Sequence, residues 1–260
     1  MGQLTVRQYD ALERAIVDAR RVAILRRGTE FIVIPERLVT VDRAEAILAR
    51  HPLVAVYADE SCLGNGKEGA NPGGAGVLIE WRHADGRITR RDLWISEPAT
   101  TNNRMALRSV TEAFRALGAK DGRFSVRFTT DSRYIVDGMT GWVFGWARNG
   151  WTRKTGAIEN LPLWFDAIAS VHGHEASWQW VKGHAGHPQN EYANDLAVKA
   201  ATEQTQSGGL VPSGFEAWLA ARRAKGGAKG EVAPFPDGEA FTPSASLPRV
   251  PTRSGAASGS

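Results

Sequence analysis

Hydrophobic and polar positions change rhythm several times along the chain, and each change marks an element. Near the N-terminus, Leu4, Leu12, Ile16 and Ala19 recur at helical spacing. Two strand-like runs follow at 21–27 and 30–39, joined at Gly28-Thr29, and predict a hairpin. A short helix is expected at 42–50, ahead of Pro52. Residues 1–52 therefore read as a small α+β module, helix–hairpin–helix. From residue 53 the pattern becomes denser. Strands are expected at 53–59, 75–81 and 87–95, then a helix at 103–117, where Met105, Val110, Phe114 and Leu117 repeat at helical intervals. A fourth strand is expected at 124–130 and helical stretches at 132–147 and 162–172. A fifth strand follows at 176–182, with Trp178 and Trp180 on one face, and a closing helix at 189–203. The order β-β-β-α-β-α-β-α predicts an α/β domain over 53–205, a five-stranded mixed sheet with flanking helices. Residues 206–260 turn to Gly, Pro, Ser and Ala; only 214–225 carries a helical pattern, and the rest is expected to be a disordered tail.

Composition narrows the picture modestly. A chain of 260 residues has room for one large domain or two modest ones. With 42% hydrophobic and 23% charged residues it fits a globular protein in water, and no apolar run is long enough to cross a bilayer. The first residues are polar and charged, unlike a secretory signal. One cysteine, Cys62, excludes an intrachain disulfide and suits a reducing, cytoplasmic setting. A net charge of +4 permits a polyanionic partner without requiring one. Arg20, Arg21, Arg26 and Arg27 could touch phosphate, but a solvated face with no ligand is the plainer reading. A monomer is the default expectation.

Candidate chemistry lies in five segments: Y-A-D-E-S-C-L-G-N (57–65), T-T-N-N-R-M-A-L (100–107), T-T-D-S-R-Y-I (129–135), W-V-K-G-H-A-G-H-P-Q-N-E (180–191) and Y-A-N-D-L-A (192–197). Singly each has a plain explanation: Asp59 as a turn residue, Asp131-Ser132 or Asn102-Asn103 as helix caps, His184 as a bystander in a Gly-flanked loop. Together they say more. Asp59 and Asp131 both end strand runs, where an open α/β sheet presents its functional groups. Two carboxylates converging there suit Mg²⁺, which prefers oxygen ligands.

In order and wording, these segments resemble type 1 ribonuclease H over roughly 150 residues, a full domain. The resemblance implies a ribonuclease H-like fold and metal-dependent cleavage of the RNA strand of RNA–DNA hybrids, with two Mg²⁺ (or Mn²⁺) ions. It implies that Asp59 bridges the ions, that Asp131 is a second ligand, and that His184 is a mobile loop histidine handling protons. Thr101, Asn102 and Asn103 match the residues gripping the backbone near the cut. Trp142, Trp146 and Trp151 fall where the family handles the DNA strand, with Arg153 and Lys154 as nearby phosphate contacts; core packing explains such tryptophans as well.

The chain departs from that pattern in three places. Ala106 stands where the family's helix carries a glutamate, Asn194 where the last helix carries an aspartate, and Glu60 where the family has glycine. Asn is uncharged and offers one carbonyl oxygen. Asp195 is adjacent, but one helical step turns it by about 100 degrees. Two carboxylates would hold two divalent ions poorly. Glu60 is therefore a candidate third metal ligand, provided the strand ends or bulges there, since consecutive strand residues face opposite ways. A solvated loop glutamate fits the sequence equally. Two functions follow: an active hybrid-cutting endonuclease with a rearranged metal site, or a ribonuclease H-fold nucleic-acid-binding module with weak or no activity. The stretch 65–71 further reads as an insertion.

Overall fold

The computed structural model describes residues 22–27, 30–35, 51–64, 71–226 and 230–251. Two compact units divide the chain, residues 1–51 and 52–260. In the first, β1 (Val22–Arg27) and β2 (Glu30–Pro35) form the expected antiparallel hairpin, with Arg27 opposite Glu30. The two helices expected beside it, and all but Asn71 of the insertion expected at 65–71, lie outside the described residues.

In the second unit a mixed sheet forms around β3 (Leu53–Cys62), which pairs antiparallel with β4 (Gly73–Arg82) and parallel with β6 (Ser125–Thr130). β5 (Ile88–Glu97) flanks β4, and β7 (Glu175–Trp180) lies parallel to β6. Between β5 and β6 runs α1 (Asn102–Gly118). Between β6 and β7 come α2 (Arg133–Asp137), a π-helical turn (Gly138–Trp142), α3 (Val143–Arg148) and α4 (Leu161–Val171). After β7 comes α5 (Pro188–Glu203).

Strand periodicity explains why both faces of β3 are covered. Val54, Val56 and Ala58 enter the larger core, shared with α1 and α4 residues such as Phe114 and Trp164, while Ala55 and Tyr57 enter a second core with Tyr192 of α5. On that second face, α5 docks on backbone rather than on side chains. A Cβ at Gly74 or Gly76 would fall 2.2 Å from the carbonyl oxygens of Ala197 and Ala193 respectively. Glycines on the strand and alanines on the helix bring α5 close to the end of the sheet where Asp59, paired with Gly76, resides.

Two expectations need correction. The sheet has six strands: β8 (Val211–Pro212) pairs with β5 through Arg91↔Pro212 and Asp92↔Val211. The helix expected at 214–225 forms, and the segment around it, read as a disordered tail, is laid against the domain across 206–213 and 230–251. α6 (Phe215–Ala224) buries Phe215 and Leu219 in the second core, with Val232 and Phe235 packed beside them. Further on, the Ser244 N–H donates to the Ala176 carbonyl at 2.8 Å, and Leu247 and Val250 touch the larger core. Val232, Phe235, Leu247 and Val250 are too widely spaced among Gly and Pro to show a period, yet each packs against a core of the domain. No helix among the described residues is long and apolar enough to cross a membrane.

Candidate metal centre

β6 stops at Thr130, and its ladder with β3 ends at the pair Ala58↔Thr130. β3 itself continues, paired with β4 as far as Cys62↔Gly73. Past Ala58, therefore, one edge of β3 is open, and Asp131, the first residue after β6, stands at that opening. Asp59 and Glu60 point to opposite faces of β3, but both reach around the open edge. Asp59, Glu60 and Asp131 each offer a carboxylate oxygen, and these oxygens all lie within 4.8 Å of one another. The strand neither ends nor bulges at Glu60, as the sequence had required; it is its neighbour β6 that ends.

The three carboxylates are crowded and poorly relieved. Asp59 is 5% exposed. It accepts hydrogen bonds from the Glu60 N–H at 2.7 Å and the Asn190 Nδ2 at 2.9 Å. Burial, then the charge of Asp131, raise its pKa from 3.8 to about 7. Glu60 is raised well above the usual carboxylate range by burial and by the charges of Asp59 and Asp131, with a hydrogen bond from Ser132 working against this. Glu60 keeps some solvent contact as a residue, but its Oε2 is buried with no hydrogen-bond partner. Asp131 is raised by burial, against which a backbone hydrogen bond and the neighbouring His184 work. A proton shared between Asp59 and Asp131, or a cation, would relieve the cluster.

The surrounding residues favour the cation. Asn190 Oδ1 is also buried and unpartnered. Carboxylate and amide oxygens form a hard donor set of the kind Mg²⁺ and Mn²⁺ take. Gly183 lies directly against Asp131: a Cβ there would sit 2.2 Å from Asp131 Oδ2. The next residue, the exposed His184, has a left-handed φ of 53°.

The other anticipated residues lie on several elements of the domain. Thr101 caps α1, accepting from the Arg104 N–H at 3.4 Å, and Asn102 and Asn103 open the helix half-buried. That helix start abuts the end of β3, since the Cys62 Sγ contacts the Thr100 carbonyl at 3.3 Å. Asn102 Oδ1 has no hydrogen-bond partner. Trp142 and Arg153 line one cavity of about 330 Å³ with Tyr134, Trp146, Ile158 and Glu159. Trp142 is 41% exposed, whereas Trp146 packs edge-on against buried Trp164. Lys154 is exposed in the following loop. Ala106 is wholly buried in the larger core and offers no ligand. Asn194 is half-buried one helical turn beyond Asn190. Asp195 is occupied elsewhere, accepting from Trp218 Nε1 at 2.7 Å and Arg222 Nη1 at 3.3 Å. Asn190 escaped the sequence reading, although it shares a helix face with Asn194 by the i, i+4 rule.

A mixed sheet that gathers three acidic side chains where one of two adjacent parallel strands ends and the other runs on, with a glycine-histidine loop beside them, defines an α/β protein with an acidic, cation-seeking centre. Comparison with known proteins gives the family. The RNase H family model matches residues 51–202, and the chain belongs to that family. The Ribonuclease H of Rhodospirillum rubrum is 42% identical over 156 residues, covering 59% of this chain and 86% of that protein. That of Neisseria gonorrhoeae is 43% identical over 153 residues, covering 58% and 96%. Among solved structures, LC9-RNase H1, a type 1 RNase H with the type 2 active-site motif, is 66% identical with a TM-score of 0.73, over 78% of this chain and 96% of that one.

Proposed function

We propose that this chain is an active, metal-dependent endonuclease that cuts the RNA strand of RNA–DNA hybrids, with Glu60 as a metal ligand. The observation that carries the reading is the convergence of Glu60 with Asp59 and Asp131 within 4.8 Å, at a point where Glu60 Oε2 has no protein partner. Glu60 supplies from the strand the carboxylate that Ala106 does not supply from the helix. The relative at 66% identity is itself a type 1 RNase H with an active-site motif of the other type, which accords with such a rearrangement.

In this reading Asp59, Glu60 and Asp131 hold Mg²⁺ or Mn²⁺, two ions when substrate is present, and Asn190 and Asn194 add neutral oxygens at the rim. The bound cations would supply Lewis acidity and a deprotonated water for phosphodiester hydrolysis. Asn190 fixes the Asp59 carboxylate through its Nδ2. His184, exposed beside Asp131, takes up or returns a proton at its imidazole. Thr101, Asn102 and Asn103 hold the backbone near the cut and read the 2′-hydroxyl, which separates RNA from DNA. Trp142, Arg153 and Lys154 receive the other strand, contacts that position without specifying sequence.

The test is cleavage of an end-labelled hybrid with Mg²⁺ or Mn²⁺ by wild type, Asp59→Asn and Glu60→Ala. Metal-dependent cutting of the RNA strand by wild type and its loss in both variants is the expected result. Hybrid binding without metal-dependent cutting would leave only a binding module. Wild-type rates in Glu60→Ala would remove Glu60 from the centre.

A further inference from the structure

The loop that carries His184 is anchored by a part of the chain outside the matched family segment. On one side Gly183 lies against Asp131. On the other, Gly186, also left-handed at φ 84°, donates its N–H to Glu191 Oε1 at 3.1 Å. Glu191 is in turn paired at 3.4 Å with Arg222 of α6. The backbone at Gly230 presses on the same point: a Cβ there would sit 1.7 Å from the Gly186 carbonyl oxygen. Three residues on, the chain is clamped by Gln189, which is wholly buried. Its Nε2 donates to the Ala233 carbonyl at 2.9 Å, and its Oε1 accepts from the Ala233 N–H at 3.1 Å.

A glutamine sealed from water that satisfies both ends of its amide with one backbone residue is a two-pronged clasp. Either partner without the other leaves buried donors and acceptors unpaired. The clasp sits directly after the loop, at the second residue of α5, whose first residue is Pro188. The proline fixes one backbone angle there, so displacement of Gln189 is passed into 183–187 rather than absorbed at the joint.

We propose that the C-terminal strap at 230–233, clasped by Gln189, is a positioning device for the His184 loop. Gln189 is the positioning residue, and it acts on turnover rather than on hybrid binding. The strap holds the histidine near Asp131 at the cost of some loop freedom. The inference rests on the reading of His184 as the proton-handling group, and the experiment separates the two.

Gln189→Leu keeps the side-chain volume and removes the clasp. Gly230→Val instead drives the strap off the Gly186 carbonyl and serves if the first variant folds poorly. Each is made in the wild-type and His184→Ala backgrounds, with kcat and KM measured on a hybrid and amide exchange followed at 183–186. The expected result is exchange in the loop faster by about tenfold, since local opening is easier by roughly one hydrogen-bonded pair. With it, kcat falls by about tenfold while KM stays within about twofold, as for a misplaced catalytic group. In the His184→Ala background the variants cause no further loss. An equal fold-loss in both backgrounds, or unchanged exchange at 183–186, overturns the proposal. Should His184→Ala alone leave kcat unchanged, the histidine's role falls, and the exchange rates still decide whether the strap holds the loop.

Discussion

Two glutamates on adjacent strands, Glu60 on β3 and Glu80 on β4, meet opposite fates. Glu80 is 1% exposed and accepts from Arg90 Nε at 2.7 Å, so burial, which raises its pKa, is opposed by a cation in contact. Nearby Asp92, 3% exposed, directs Oδ2 at two donors, the Tyr192 hydroxyl and the Gly214 N–H, although its Oδ1 is buried without a donor. Glu60 has the reverse arrangement. Its nearest charges are two further carboxylates, and its Oε2 has no donor at all. Glu80 is given its counter-charge by the chain, whereas the three acids around Glu60 crowd like charges together with none, which is the ground for proposing that their counter-charge comes from outside.

The largest effect that tests this contrast is on activity. Asp59→Asn and Glu60→Ala should each lower hybrid cleavage on the order of a thousandfold, the usual scale for removing a metal ligand from a hydrolytic centre. Glu80→Ala should leave kcat and the Mg²⁺ dependence unchanged. A Glu80 variant that loses metal response, or a Glu60 variant that keeps it, would break the distinction.

Much of this centre was legible before any coordinates. Asp131 could be read from its place just after a strand and Asp59 from its motif, and the order of strands and helices through 53–203 was visible because both periods are strong there, although β3 runs past the expected end at Asp59 to Cys62. Glu60 could be named but not placed. Its reach depends on β6 ending at Thr130 while β3 runs on to Cys62, a difference between two ladders that neither strand's own pattern records. Asn190 was hidden because an amide in a helix's first turn looks like any polar surface residue. The strap was hidden for a different reason. Gln189, Gly230 and Ala233 carry no periodicity, and their meaning lies wholly in whom they meet.

The next effects are on stability. Glu80→Ala leaves Arg90 partly buried beside Glu216 and over the Phe215 ring at 4.8 Å, and should cost about 2–3 kcal/mol in denaturant unfolding. The carboxylate cluster should act in the opposite sense. Asp59 has its folded pKa raised from 3.8 to about 7, so the folded state binds more protons than the unfolded one across that window. Without metal, stability is greatest below about pH 4 as far as this group goes, and is lost as pH rises through 7. Thermal unfolding in EDTA should show a Tm lower at pH 7.5 than at pH 5 by roughly 5 °C. Mg²⁺ should restore the difference at pH 7.5, and Asp59→Asn should reduce both the pH slope and the Mg²⁺ gain. A Tm indifferent to Mg²⁺ in wild type would mean the cluster holds no cation without substrate.

The smallest effect is expected at Tyr192. Its hydroxyl donates to Asp92 Oδ2 at 2.6 Å and accepts from the Gly214 N–H at 3.1 Å, while its ring packs edge-on to Phe215 at 5.4 Å. Tyr192→Phe keeps the ring and removes only the hydroxyl. The Gly214 N–H still has Asp92 Oδ2 at 3.0 Å, so no donor is stranded, and the loss is that of one hydrogen bond to a carboxylate, about 1–1.5 kcal/mol. Because Tyr192 sits on the same helix as Asn190 and Glu191, the variant also asks whether α5 transmits a disturbance along its length. Unfolding in urea should show the loss while kcat, KM and the Mg²⁺-induced Tm shift stay as in wild type. A drop in kcat comparable to that of the strap variants would show that the second core, and not the Gln189 clasp alone, sets the position of the histidine loop.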